Sequence, residues 1–270
     1  MPESSYTVLG ATGFVGSRIV ATLQKAGHDV YTPGREELEQ FSRPLGKVFY
    51  CVGLTADYLS RPYDTVEAHV SLLARLLKEA EFDRLVYLSS TRLYDGLPES
   101  IASEDVTLQL NPASPRHIYD LSKALGENLC LTASSGRASI ARLSCVYDSA
   151  PGSPGFLSEW LQRAAREKNF GLDSGTGIVR DYIHLDDVVT ALIAILESEE
   201  KAIFNVASGE NVSNATLAEI FNRHGWSVTL DRDTPLQKAS VCDISRLQRL
   251  GVQPRLVKDV VDQYLELEHA

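Results

Sequence analysis

The chain has 270 residues, with 26 lysines and arginines against 36 aspartates and glutamates, for a net charge of −10. That length buries a full core as one large domain or one domain plus a lobe, and the composition is that of an ordinary soluble globular protein. The acidic balance argues against a nucleic-acid or anionic-membrane partner, while leaving room for a local basic pocket that takes phosphates. The opening MPESSYTV turns at once into a glycine loop, so no signal peptide or spanning helix is expected, and the protein is expected in the cytoplasm. Cys51, Cys130, Cys145 and Cys242 lie far apart without a CxxC pair; they read as buried free thiols, and no metal site is expected.

Residues 6–9 form a short β-run. Gly10-Ala11-Thr12-Gly13-Phe14-Val15-Gly16 follows, then a helical pattern through Ile19, Val20 and Leu23, and a second strand over 29–32. Strand, glycine loop, helix and strand in this order are the setting in which glycines let a backbone turn approach a pyrophosphate at a helix N-terminus. After the second strand stands Pro33-Gly34-Arg35. A cofactor with a free 2′-hydroxyl wants an acid there, whereas Arg35 could pair with a 2′-phosphate, which favours NADP(H) and leaves NAD(H) open; a solvated arginine opening an acidic helix is the plainer reading.

Residues 47–53 (KVFYCVG) read as a buried parallel strand, and the gap from Arg35 is too short for a helix plus a strand. The third strand of the sheet is therefore expected to be missing or vestigial. Gly53 and Leu54 lie at a strand's carboxyl end, where ligands bind in such sheets. Residues 64–80 read as a strongly amphipathic helix, with His69 more simply a packed side chain than a ligand. Strand 84–89 ends in Ser90-Thr91-Arg92, whose hydroxyls could bond a substrate oxygen or merely build a turn. A proline- and serine-rich loop over 96–117 follows.

The helix expected over 118–132 carries Tyr119 and Lys123, four apart and so on one face. A tyrosine with a pKa of ~10 is a poor acid–base group at neutral pH, and a nearby ammonium favours its phenolate. The pair can thus move a proton to or from a substrate oxygen, although an amphipathic helix with a wet lysine looks the same. Residues 139–146 read as another strand. Pro151-Gly152-Ser153-Pro154-Gly155 marks a lobe boundary, dividing 1–150 from 151–270. Helix signals follow at 156–168, 187–197, 214–224 and 257–268, with short strands near 202–206 and 227–230. Asp186 or Asp187 is expected to cap the helix that begins at 187. Arg180 is a candidate phosphate ligand or a surface partner of Asp181.

With these segments in order, the chain resembles the extended short-chain dehydrogenase/reductases, the NAD(P)-dependent epimerase/dehydratase family acting largely on nucleotide sugars. GATGFVG at 10–16 is similar to GxxGxxG, SSTRLY at 89–94 to SSxxVY, and YDLSKALGE at 119–127 to YxxSKxxGE. RLSCVYDSAPG at 142–152 resembles RxxNVYGP, RDYIHLDD at 180–187 resembles RDYIHVxD, and FNVASGENVS at 204–213 resembles YNVGxGxxxS. The resemblance implies a Rossmann-type doubly wound parallel sheet with a small C-terminal α/β substrate lobe, some segments near 180–206 returning to the sheet. It implies catalysis by Ser90, Tyr119 and Lys123, with Lys123 holding the nicotinamide ribose and lowering the Tyr119 pKa. It implies a cofactor site from Gly10, Thr12, Gly13, Phe14, Val15, Gly16, Gly53, Leu54 and Ser144, and substrate contacts from Thr91, Cys145 and Arg180.

Relatives pair the helices here at 64–80 and 116–132, so a homodimer is expected. The family's asparagines at two places are Cys145 and His69 here, and the acid after the third strand has no counterpart. Thr91 and Arg92 stand where 4,6-dehydratases carry acids, and Arg92 where 3,5-epimerising relatives carry cysteine, so both chemistries are disfavoured. An NADPH-dependent ketoreductase comes first, then a 4-epimerase retaining NAD; a dinucleotide-binding sensor is the reading from another class.

Overall fold

A computed structural model describes residues 6–269. The first half is built from β1 (Tyr6–Leu9), α1 (Phe14–Lys25), β2 (Val30–Tyr31), β3 (Lys47–Tyr50), α2 (Pro62–Val66), α3 (Leu72–Glu79), β4 (Arg84–Ser90), β5 (Ile101–Ala102), α4 (His117–Ala133), β6 (Ala138–Leu143) and β7 (Cys145–Tyr147). The second half adds α5 (Phe156–Ala164), β8 (Asn169–Gly175), β9 (Val179–His184), α6 (Leu185–Glu197), β10 (Ile203–Val206), β11 (Asn211–Ser213), α7 (Asn214–Arg223), β12 (Ser227–Arg232), β13 (Val241–Cys242), α8 (Ser245–Arg249) and α9 (Val257–His269).

Six strands form one parallel sheet in the order β2-β1-β3-β4-β6-β10. Its strands are buried on both faces, and alternate residues choose the face. Val8, Phe49, Val86 and Ala141 meet Ile19 and Leu23 of α1 and Val188, Leu192 and Ile195 of α6. Leu9, Tyr50, Tyr87 and Ile140 meet Leu73 and Leu76 of α3 and Cys130 of α4 on the other side. The sheet is thus doubly wound. No strand lies between β2 and β3, only a 3₁₀ turn over Glu36–Glu39, as the short spacing predicts.

The rod that begins at Pro62 runs through a π-helical turn at Glu67–Ser71 before α3. That turn holds His69, fully buried. A second core lies in the C-terminal half, where Leu157, Trp160 and Leu161 of α5 pack on Phe170, Phe221 and the α9 residues Val257, Val261 and Leu265. It is joined to the large sheet by the small sheet β11-β9-β7 and by Ile183, which belongs to the first core. Strands β8 and β9 occupy 169–184; the first alternates but has only Phe170 and Leu172 as apolar residues, and the second does not alternate. The helix α6 is capped by His184, whose ring accepts from Asp186 N at 3.2 Å, and not by either aspartate; Asp187 instead holds Arg255. Among the described residues no helix is long and apolar enough to cross a membrane, and no cluster of three metal-ligating side chains occurs.

Candidate active site

The chain leaves β1, crosses to β2 at one edge, and returns to β3 on the other side of β1. This reversal opens a crevice at the carboxyl ends of β1 and β3, the place where open α/β sheets bind ligands. Gly10 turns the chain there at φ +79°, and a Cβ on it would lie 2.8 Å from the Cys51 carbonyl carbon and oxygen. A Cβ on Gly16 would lie 2.2 Å from Gly10 O. Both glycines therefore serve a close approach of backbone to backbone. Thr12 and Gly13 lead into α1, Phe14 and Val15 begin it, and Gly13, its N-cap, offers no side chain to the first-turn amides. The donors remain for an anion. Gly53 continues the wall: a Cβ there would lie 3.1 Å from His69 Nε2 and 3.4 Å from Lys123 Nζ. Ser144 is buried at the end of β6, its amide donating to Val206 O at 3.0 Å.

Tyr119 and Lys123 share the inner face of α4, where both are buried. Ser90 ends β4; its hydroxyl accepts from Arg92 N at 3.2 Å and lies beside the Tyr119 phenol, whose charged form it favours. The structure thus brings Ser90, Tyr119 and Lys123 together. It corrects one expectation about them. Burial raises the Tyr119 pKa, and Ser90 and Arg92 oppose the rise; the cation acting on the phenol is Arg92, whose guanidinium carbon lies 4.8 Å from the ring centroid. Lys123 instead donates to Leu88 O at 2.7 Å, and burial lowers its pKa to about 7.

His69 braces α4 at Tyr119. Leu54 N donates to its Nε2 at 3.3 Å, so Nδ1 carries the proton and donates to Ser122 Oγ at 2.8 Å; Ser122 in turn donates to Tyr119 O at 2.9 Å. Burial holds the imidazole neutral, with its pKa lowered to about 2, so the tautomer is set by these partners. The ring also meets Tyr119 edge-on at 5.3 Å.

A buried ion pair ties the strand ends to α4. Arg142 grips Glu127 at 2.9 and 2.6 Å, Ser89 donates to Glu127 at 2.5 Å, and Arg142 also donates to Tyr94 OH at 2.7 Å. Tyr94 in turn donates to Asn205 Oδ1 at 2.7 Å. One network therefore joins residues from four of the sequence segments that run from Ser89 to Asn205.

Beside Tyr119 lies a cavity of about 770 Å³ whose walls include Thr91, Arg92, Cys145, Arg180, Asn211 and Lys238, a size suited to a small-molecule ligand. Thr91 spends its hydroxyl on Leu143 O at 3.3 Å. Arg180 has no ion pair with Asp181, whose carboxylate takes the amides of Ser208 and Gly209 at 2.8 Å each; its Nη1 is buried without a partner. Cys145 opens onto this cavity, against the expectation of four buried thiols, yet protein surrounds it closely enough to push its pKa up to about 11. Arg35 is exposed at the start of the 3₁₀ turn, beside an amide of Gly34 that Glu37 caps. Tyr58, Arg92 and Lys238 belong to no ligand motif that the sequence shows. Arg92 alone had a signal, its place two residues after Ser90.

The family model described as the NAD dependent epimerase/dehydratase family matches residues 6–207. A UDP-glucose 4-epimerase of Corynebacterium glutamicum is 28% identical over 265 residues, covering 79% of this chain and 78% of that protein. A dTDP-4-dehydro-6-deoxy-D-allose reductase of Streptomyces bikiniensis is 24% identical over 256 residues, with the same two coverages of 79% and 78%. Among solved structures, UDP-glucose 4-epimerase from Thermotoga maritima with UDP-glucose superposes with a TM-score of 0.80 at 19% identity, over 97% of each chain; that likeness concerns the fold.

Proposed function

The chain belongs to the NAD dependent epimerase/dehydratase family, and on that premise we propose that it is a reductase of nucleotide-activated keto-sugars that uses NADPH. The observation that carries the reading is Ser90 at the end of β4 beside the Tyr119 phenol, with Lys123 one helical turn along α4, next to a cavity with uncommitted cations. A reductase needs only that set and a consumable cofactor. The glycine cradle and the uncapped start of α1 fit a dinucleotide. Bound there, it supplies the hydride. Tyr119 delivers the matching proton to the carbonyl oxygen, Ser90 orients that oxygen and the phenol, and Lys123 faces the Gly53 wall where a ribose would lie. Arg35 has no protein partner among the described residues and so is free for a 2′-phosphate. The lobe, built from the parts of 151–270 outside α6 and β10, carries the nucleotide, with Arg180 on a phosphate.

A 4-epimerase with retained NAD is the second reading, favoured by the epimerase-like segment at 180–187 and by the Corynebacterium relative. The test is to denature purified protein, assay released dinucleotide, and titrate the remaining apo-protein with NADPH and NAD. An empty site preferring NADPH supports the reductase. Tightly retained NAD supports the epimerase and removes the role given to Arg35. Binding of neither would sink the enzyme reading, as would a Tyr119→Phe protein that kept full biological effect, which marks a sensor.

We also propose a homodimer through the rods at 62–79 and 117–133. Tyr63 and Val66 on the first, with Leu125 and Leu131 on the second, leave apolar surface exposed. A monomer by light scattering at micromolar concentration would overturn this.

A further inference from the structure

Arg92 lines the cavity next to Tyr119, and among the described residues no carboxylate forms an ion pair with it. It leaves β4 on the 3₁₀ turn Thr91–Tyr94 and lies between two aromatic rings, 4.8 Å from the Tyr119 centroid and 5.0 Å from that of Tyr58. Its Nη2 donates to Tyr58 OH at 2.9 Å. Its Nε and Nη1 have no hydrogen-bond partner in the protein, and Arg92 lines the cavity. Of its acidic neighbours, Asp95 pairs with Arg116, and Asp120 lies 3.9 Å from Arg116 and acts on Arg92 without an ion pair to it. The two tyrosines hold the guanidinium in place, so little rotamer freedom is lost when it binds a ligand.

The cavity's charges then point to the ligand. Of its cations, Arg116 is paired with Asp95; the other acid, Asp181, is held by the amides of Ser208 and Gly209, which stabilise its charge without cancelling it, so the lining still carries more positive than negative groups. Arg92, Arg180 and Lys238 remain, in a chain whose net charge is −10. Arg180 and Lys238 answer the two phosphates of a sugar nucleotide. Arg92 is a third cation, set against the catalytic tyrosine. A neutral sugar would leave it desolvated and unpaired once the cavity closed over ligand, which is costly; a carboxylate on the sugar would pair it.

We infer that Arg92 is a specificity residue, and that the sugar it selects is a uronate whose carboxylate sits beside the carbon on which Tyr119 acts. The inference rests on the nucleotide-sugar reading above and narrows it to acidic sugars. The carboxylate takes the second Nη2–H together with Nε–H or Nη1–H, while the first Nη2–H, on Tyr58 OH, keeps the fork oriented. The rings of Tyr58 and Tyr119, 5.3 Å apart, keep water from competing.

The test is calorimetric titration of wild type, R92Q, R92K and R180Q with UDP, UDP-glucose and UDP-glucuronate, and with the corresponding dTDP ligands. Wild type is expected to bind the glucuronate about tenfold or more tightly than the glucose, the worth of a charge-assisted hydrogen bond. R92Q abolishes that preference while binding of UDP alone stays within about twofold, and R92K keeps part of it. R180Q weakens all ligands together. Equal affinity of wild type for the two sugars, or a preference that survives R92Q, would reduce Arg92 to a brace for Tyr119 and overturn the inference while leaving the broader reading standing. Binding of none of these ligands to wild type would remove the nucleotide-sugar reading, and the inference with it. Unfolding curves show that each variant is folded, and R92M serves in place of R92Q if the latter is not.

Discussion

Replacing Lys123 by methionine is expected to stabilise the protein at neutral pH while ending its chemistry. The lysine is only 4% exposed, and burial, partly opposed by Glu127, lowers its pKa from 10.5 to about 7. A depression of that size corresponds to about 5 kcal/mol of cost for holding the ammonium in the fold at neutral pH and below. In the unfolded chain the lysine keeps its proton up to the usual 10.5, whereas the folded protein releases it above about 7. Between those values the unfolded state binds more protons, so wild-type stability rises with pH through that window and is flat in this respect below it. Methionine fills the volume of the stem without the charge, but it leaves Leu88 O without the donor it has at 2.7 Å, a loss of about 1–3 kcal/mol. The net gain is about 2–4 kcal/mol at pH 7, shrinking to nothing or a small loss near pH 10. Urea unfolding of wild type and K123M at pH 7 and pH 9.5 measures both numbers. A K123M protein less stable than wild type at pH 7, or a difference of the same size at both pH values, would refute the reasoning.

Glu127→Gln is expected to cost about 3–5 kcal/mol in the same assay, because it leaves the buried Arg142 charge without its carboxylate. The double change E127M/R142M removes both charges and should cost much less, which separates a lost charge partner from lost packing. Gly16→Ala pushes a methyl into Gly10 O, so it should destabilise by about 1–3 kcal/mol and weaken dinucleotide binding together, read by unfolding and by titration. His69 is neutral in the fold, with its pKa near 2 against 6.5 in the free side chain. Its stabilising contribution is whole above pH 6.5 and is lost as pH falls, at about 1.4 kcal/mol per pH unit. H69N should show a shallower acid limb by that amount between pH 6 and 4; an unchanged slope would mean that His69 is protonated in the fold.

What the sequence determines by itself is whatever depends on near neighbours in the chain. The glycine spacing at 10, 13 and 16 follows from a turn feeding a helix, and the Tyr119–Lys123 spacing puts two side chains on one helical face. Even the absent third strand is legible, because the stretch before Lys47 is too short to hold a helix and a strand. Strands 169–175 and 179–184 are not legible: the first alternates but has only Phe170 and Leu172 as apolar residues, the second does not alternate, and their pairing lies with distant partners, β12, β7 and β11. The cap of α6 misled for a related reason: aspartate is the commoner cap, but here the extended backbone at His184 puts its ring nitrogen on the amide of Asp186. Only the tertiary structure could say that Arg92 lies over Tyr119, that Lys123 turns to Leu88 O, that Glu127 is locked to Arg142, and that Cys145 opens onto the cavity. Each is a meeting of segments far apart in sequence, carried on irregular turns whose course no periodicity encodes, and so it is decided by how the sheet and lobe pack and not by any local pattern.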